Sequence, residues 1–366
     1  MVLGKKDGML IAGGGVAASL AALAMATRRP DVPLMLVAEE ETLGGDQILV
    51  LLDGDLGEEE AALVAPLAAE GWDGWYALFP GLTRKMKAGV RTITPQAIDA
   101  AVRAALPPER IVTGARIVAV REDRILLHGG DMIVADGAID AREEANLALL
   151  ELGWRATLGR TYRFNAPHRL DRPVLVDGTV DQGPGCRFVS ALPLDAERLL
   201  VELHAFSGAT DPGSGAGAAL DSWVEGRGWS GGEIENETKG ALPVALGGDL
   251  PALWRIGGAR VARLGRRGGF FHPTTGSALA DAATAGLLLT KQRDFSGAGL
   301  HDTLFDLAGA LWKKRDFYRS FNRALLGDKG CAALEGLCRL DSEMIAKFRG
   351  ERLGMFERRK VMASAG

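Results

Sequence analysis

Residues 9–37 constrain the fold of this chain more than any other segment. Met9–Ala12 is a short apolar run, and Gly13-Gly14-Gly15-Val16-Ala17-Ala18 is a turn of the form G-x-G-x-x-A. Ser19 to Thr27 is alanine-rich with a helical pattern, and Val32 to Val37 is a second apolar run. Strand, glycine turn, helix and strand in about 30 residues is the dinucleotide-binding βαβ arrangement. Gly13 permits the tight turn, Gly15 lets a pyrophosphate reach the backbone, and Ala18 lets helix and strand pack closely. The free N–H groups and positive dipole end of the helix then hold the phosphates. A glycine-rich turn with no ligand is the plain alternative.

The second strand should end in an acid for the ribose hydroxyls. It runs Leu36-Val37-Ala38-Glu39-Glu40-Glu41, which leaves the choice of acid open. Glu39 is the best placed, about 24 residues beyond the glycine turn, with a solvated acidic loop as the alternative. Gly44-Gly45 follows shortly, a pattern that favours FAD over NAD.

Composition narrows the class. With 366 residues, 47% of them hydrophobic, the chain can form one large or two ordinary domains and is too apolar to be disordered. Its 43 Lys+Arg against 47 Asp+Glu argue against a nucleic-acid partner. Cys186, Cys331 and Cys338 lack CxxC spacing, which argues against a disulfide framework or a metal site and for a reducing compartment. Glycine is in excess, with 49 residues spread along the chain, as tight turns and close backbone approaches require. Lys5 and Lys6 before an apolar run, with Ala24-Met25-Ala26 at its end, imitate a secretory signal. Gly13 to Gly15 interrupt that run where a signal needs helix, so it reads as the opening of a folded domain. No stretch approaches the ~18 apolar residues of a membrane span, and a soluble or peripheral protein is expected.

Downstream, the pattern predicts a helix over Pro95 to Ala105 and strands over Arg110 to Val120, Arg124 to His128 and Met132 to Asp140. From Arg155 to His204 strands follow one another without helices, and Arg187 to Leu192 and Leu199 to His204 form a hairpin. Asp211 to Ala219 reads as loop, Ala219 to Arg227 as helix and Trp254 to Arg263 as a returning strand. Gly268 to Gly276, containing His272-Pro273-Thr274-Thr275-Gly276, opens on an alanine-rich helix from Ser277 to Leu289, a second anion or flavin platform. Residues 301–362 are helical and basic, with 13 Lys+Arg against 9 Asp+Glu. They could cap the substrate domain, lie on an anionic membrane surface, or do both. The expected fold is α/β: a Rossmann-like, FAD-binding GR2-type domain in residues 1–150 and 256–295, an antiparallel substrate sheet in 151–255, and a helical region in 296–366 that caps the sheet or faces a membrane.

In the last of these strands Leu199, Val201 and Leu203 fall on one face and Leu200, Glu202 and His204 on the other. An acid among such apolar neighbours, facing a cavity, would have its pKa raised by desolvation. An exposed carboxylate on a solvent face is the alternative. Trp72, Trp75, Tyr76 and Phe79 could line an apolar tunnel or simply form core.

These motifs together resemble the bacterial flavin-dependent lycopene β-cyclases. The resemblance rests on the glycine turn and on Arg172-Pro173 to Asp177-Gly178-Thr179-Val180-Asp181-Gln182. It rests also on Arg187-Phe188-Val189, Leu199-Leu200-Val201-Glu202, Leu242 to Leu246, Phe271 to Gly276 and Phe317 to Arg323. It implies a redox-neutral isomerase that uses reduced FAD, with NAD(P)H as reductant, and converts the ψ-ends of lycopene or a related linear carotenoid to β-ionone rings. It implies Glu202 as the acid, Gly44 and Gly45 beneath the flavin, and a peripheral position on the inner, cytoplasmic face of a membrane. The oligomeric state stays open. Three departures stand out: Leu203 where the family commonly has a second acid, Asp46 to Leu52 without the family's His and Trp, and Glu143 in place of a glycine after Asp140-Ala141-Arg142. They keep two rivals in view, a conventional FAD-dependent oxidoreductase or monooxygenase and a non-catalytic carotenoid- or flavin-binding paralogue.

Overall fold

The computed structural model describes residues 8–69, 71–143, 145–182, 185–229, 232–256 and 260–365. Lys5 and Lys6 lie outside them.

Three short, fully buried strands and two partly buried two-residue ones build a parallel five-stranded sheet in the order Ala262–Arg263, Gly137–Asp140, Met9–Ala12, Leu34–Val37, Ile111–Val112. The helix Val16–Arg28 packs on it and against Leu279–Thr290. Small side chains let these two helices approach closely: a Cβ on Gly286 would lie 3.2 Å from both Ala21 Cα and Ala24 Cβ. The opposite sheet face is covered by the antiparallel strands Ile117–Arg121, Arg124–Leu127 and Met132–Val134.

Three expected elements are divided or replaced. The run from Arg110 to Val120 breaks into Ile111–Val112 and Ile117–Arg121 around Gly114, whose φ is +66°. Met132 to Asp140 splits into Met132–Val134, which joins the small antiparallel sheet, and Gly137–Asp140, which joins the parallel one. The expected strand Trp254 to Arg263 begins instead inside a helix, Leu250–Arg255, because the Asp249 side chain caps it by accepting from the Ala252 N–H at 2.8 Å. Among the described residues there, only Ala262–Arg263 is strand.

The second layer is a seven-stranded sheet, in the order Glu233–Gly248, Leu150–Arg163, Arg198–Ser207, Cys186–Pro193, Val174–Asp177, Trp75–Phe79, Leu82–Met86. It is antiparallel except where Val174–Asp177 meets Trp75–Phe79. A cut at residue 150 therefore leaves two of its strands in the first segment, since Trp75–Phe79 and Leu82–Met86 belong to this sheet. On one face, Leu199, Val201 and Leu203 pack under the helix Ala216–Gly226. On the other, Phe188 and Phe206 pack against Tyr318, Phe321 and Phe348 of the C-terminal helices.

Those helices are Gly297–Lys314, Asp316–Leu326, Gly330–Arg339, Ser342–Arg349 and Met355–Ser364. Buried side chains of the last four turn toward the seven-stranded sheet and those of Gly297–Lys314 toward the parallel one, so packing absorbs most of the apolar stripe. Arg315 ties them to the rest: its guanidinium bonds both oxygens of Asp281 at 2.9 and 2.6 Å and Glu351 at 2.9 and 3.0 Å. Among the described residues no helix is long and apolar enough to cross a membrane.

Candidate active site

A cavity of about 910 Å³ lies between the two layers. Of the glycine turn only Val16 lines it, while the expected Gly13, Gly15 and Ala18 lie behind the wall. Gly13 has φ +127°, and a Cβ there would fall 2.5 Å from the Ala141 carbonyl oxygen, so no other residue fits. The Gly44 N–H donates to Gly14 O at 2.7 Å, which brings Gly44 and Gly45 to the cavity wall. Ala18 is fully buried beneath the turn.

Glu39 does not take the position expected of it. Its carboxylate accepts from the Ile117 N–H at 2.9 Å, while Glu40 and Glu41 line the cavity. The chain bends beyond Val37 and carries Glu40 and Glu41, rather than Glu39, to the cavity. Glu40 Oε2 stands 2.7 Å from where a Gly14 Cβ would be.

The second platform divides likewise. Thr274, Thr275 and Gly276 line the cavity; His272 and Pro273 do not. His272 is buried and accepts at Nδ1 from the N–H groups of Thr274 and Thr275, each at 3.2 Å. Burial lowers its pKa to about 4, so it is neutral and shapes the loop. Asn322, fully buried, donates from Nδ2 to Pro273 O and Ala245 O, both at 2.8 Å, which accounts for this residue in the C-terminal segment. Gly276, at φ +70°, lies with its missing Cβ 2.5 Å from Leu242 Cβ.

The seven-stranded sheet supplies the remaining wall. Glu202 sits opposite Gly159 and Ser190 on the neighbouring strands. Its side chain is 31% exposed, and it faces the cavity. Desolvation pushes its carboxyl up, opposed by Arg155 and by a 3.4 Å hydrogen bond from Ser190 Oγ. His204 lies 3.7 Å from Glu202, with Thr157 Oγ1 at 3.0 Å from Nδ1 and Ser190 Oγ at 3.0 Å from Nε2. Burial, aided by Arg155, holds its pKa well below the usual histidine value, so the ring is neutral. Trp75 lines the cavity, whereas Trp72, Tyr76 and Phe79 do not.

Sequence reasoning missed Arg155, Thr157 and Ser190, which converge on Glu202 only through strand register; alternation within Leu150–Arg163 was the available signal. It also left open what Glu143 does. That carboxylate pairs with Arg266 at 3.1 Å and reaches to 1.8 Å from the place a Gly15 Cβ would occupy. Among the described residues no cluster of His, Cys, Asp and Glu could hold a metal ion.

A parallel dinucleotide-binding sheet, a second platform and a substrate sheet around one cavity define a flavoprotein-type α/β fold. Solved structures share it. A geranylgeranyl bacteriochlorophyll reductase-like protein of Thermoplasma acidophilum superposes with TM-score 0.64 at 14% identity, over 99% of this chain and 96% of that one. The 2-methyl-3-hydroxypyridine-5-carboxylic acid oxygenase gives 0.57 at 16%, over 96% and 99%. Residues 8–364 match the lycopene cyclase protein family, and the chain belongs to it. It is 30% identical to the lycopene β-cyclase of Pantoea ananas, covering 97% of this chain and 94% of that protein. It is 29% identical to that of Pseudescherichia vulneris, covering 97% and 92%.

Proposed function

We propose that this chain is a lycopene β-cyclase acting as a redox-neutral isomerase on a linear carotenoid, with FAD as its cofactor. The observation that carries this reading is Glu202, a desolvated carboxyl on the wall of a large cavity that also borders the dinucleotide platform. The residues present fit FAD: Val16 at the end of the glycine turn, Glu40, Gly44, Gly45 and Thr274 to Gly276 border one space, and Thr274 Oγ1 is buried there without a partner among the described residues. Reduced FAD, loaded by NAD(P)H, supplies negative charge that stabilises a cationic substrate.

The protein's own residues do the rest. Leu49, Val50, Leu175, Phe188, Phe321 and Leu325 make much of the wall apolar and keep water from a cation. Glu202, whose protonated form desolvation favours, donates its proton to the terminal double bond of the polyene. The neighbouring double bond attacks the resulting cation and closes the ring. A ring proton then returns to the Glu202 carboxylate, whose basicity the same desolvation raises. One proton enters and one leaves, so the product is an isomer and no reductant is consumed. Ser190 and neutral His204 orient the carboxyl.

This reading includes a peripheral position on the inner face of a membrane, where a carotenoid is dissolved. It is supported by Met355 and Phe356, 69% and 80% exposed at the start of the last helix, with Arg358, Arg359 and Lys360 following. The test is to incubate the FAD-loaded, anaerobically reduced protein with lycopene in vesicles. Monocyclic or bicyclic product without stoichiometric NAD(P)H loss is expected. An oxygenated product, or NAD(P)H consumed in proportion to product, would instead indicate an oxidoreductase.

A further inference from the structure

Three guanidiniums line the cavity among the described residues: Arg155, Arg266 and Arg349. Two have carboxylates of their own. Arg266 pairs with Glu143 at 3.1 Å, and Arg349 makes a two-pronged pair with Asp55 at 2.7 and 2.6 Å. Arg155 makes no hydrogen bond or ion pair with any described residue, and its buried Nε is without a partner. The residue is part-buried in the cavity wall, and a cation withdrawn from bulk water in this way is normally paired.

Register places it. Arg155 stands opposite Phe206 on one side and Leu242 on the other. Leu242 touches Gly276 of the second platform, and Glu202 lies four residue pairs further along the sheet, opposite Gly159. Arg155 thus lies on the same wall as Glu202, toward the platform. A hydrocarbon offers it nothing. A planar fork of N–H donors matches an oxygen-bearing anionic group.

We propose that Arg155 is the recognition residue for an anionic oxygen-bearing group brought into the cavity by a ligand. Two sources carry that chemistry: the pyrimidine edge of a reduced flavin, and a polyene that ends in a carboxylate. The inference rests on the cavity being the flavin and polyene chamber proposed above. Desolvation lowers the Arg155 pKa to about 10, partly offset by Glu202, so the side chain stays cationic at neutral pH.

The test compares the FAD-loaded wild-type protein with Arg155→Gln and Arg155→Met, two variants so that one misfolding leaves the other to be read. The first measurement is the two-electron midpoint potential of the flavin. If the flavin is the source, both variants lower it by at least the equivalent of a tenfold loss in relative affinity for the reduced form, about 30 mV for a two-electron couple. The second is quenching of tryptophan fluorescence, Trp75 being in the wall, by a linear hydrocarbon polyene and by a linear polyene carboxylic acid. If the substrate is the source, the wild type binds the acid at least tenfold more tightly and the variants lose that preference. Wild-type values in both measurements overturn the proposal, and so does failure of both variants to fold. Neither measurement depends on turnover, so an absence of cyclic product would count against the cyclase reading alone.

Discussion

The Glu143 carboxylate stands in the mouth of the glycine turn, 1.8 Å from where a Cβ of Gly15 would be, held by Arg266 at 3.1 Å. A helix N-terminus favours an anion, and here the chain's own anion is already beside it. Burial pushes the Glu143 carboxyl up against the lowering effect of Arg266, with Asp46 and Glu40 adding to the rise. Its neutral form therefore exists below that raised pKa and is lost as pH climbs through it.

Glu143→Gly should tighten FAD binding by about tenfold, the effect of removing roughly 1.4 kcal/mol of repulsion. In the wild type, affinity should rise as pH falls through the raised Glu143 pKa, and the variant should lose most of that dependence. Flavin fluorescence titrations from neutral to mildly acidic pH check both. Equal affinities would remove Glu143 from the site.

Ser190→Ala removes the hydrogen bond that favours the ionised form of Glu202. The Glu202 pKa should rise, so the alkaline loss of activity should move to higher pH. The turnover number should fall by about tenfold as the carboxyl loses its orientation. A pH–rate profile checks the sign; a shift to lower pH would contradict it.

Arg315→Met leaves Asp281 and Glu351 buried and uncompensated. Breaking such a pair costs about 3–5 kcal/mol. Denaturant unfolding should register a loss of that order, with the C-terminal helices loosened first in hydrogen exchange. A loss under about 1 kcal/mol would show the network to be dispensable.

Met355→Ser with Phe356→Ser should weaken binding to anionic vesicles by at least tenfold, since burying one large apolar side chain contributes about 1.5–3 kcal/mol. Sedimentation with vesicles measures it. Unchanged binding would move any membrane contact elsewhere on the surface.

Local chemistry made much of the fold legible in advance. The glycine turn, the helix Pro95–Ala105, and the hairpin of Cys186–Pro193 and Arg198–Ser207 all follow from short-range pattern. The alternation that separated Leu199, Val201 and Leu203 from Glu202 and His204 is the alternation that divides core from cavity. What escaped depends on contacts between distant segments. Trp75–Phe79 joins the large sheet through a parallel pairing with a strand about 100 residues away, which no periodicity reveals. Glu39 and Glu40 differ by one position, and only the path of the chain beyond Val37 decides which faces the cavity. Arg155 and Ser190 meet Glu202 through cross-strand register, which is set by the whole sheet.

The central claim is that Glu202 delivers the proton that starts ring closure. The most direct measurement is the carotenoid product formed from lycopene by reduced, FAD-loaded Glu202→Gln beside the wild type. The account predicts cyclic product from the wild type and at least a thousandfold less from the variant, with FAD still bound and the fold no less stable. Cyclic product from Glu202→Gln at a rate near that of the wild type would contradict it.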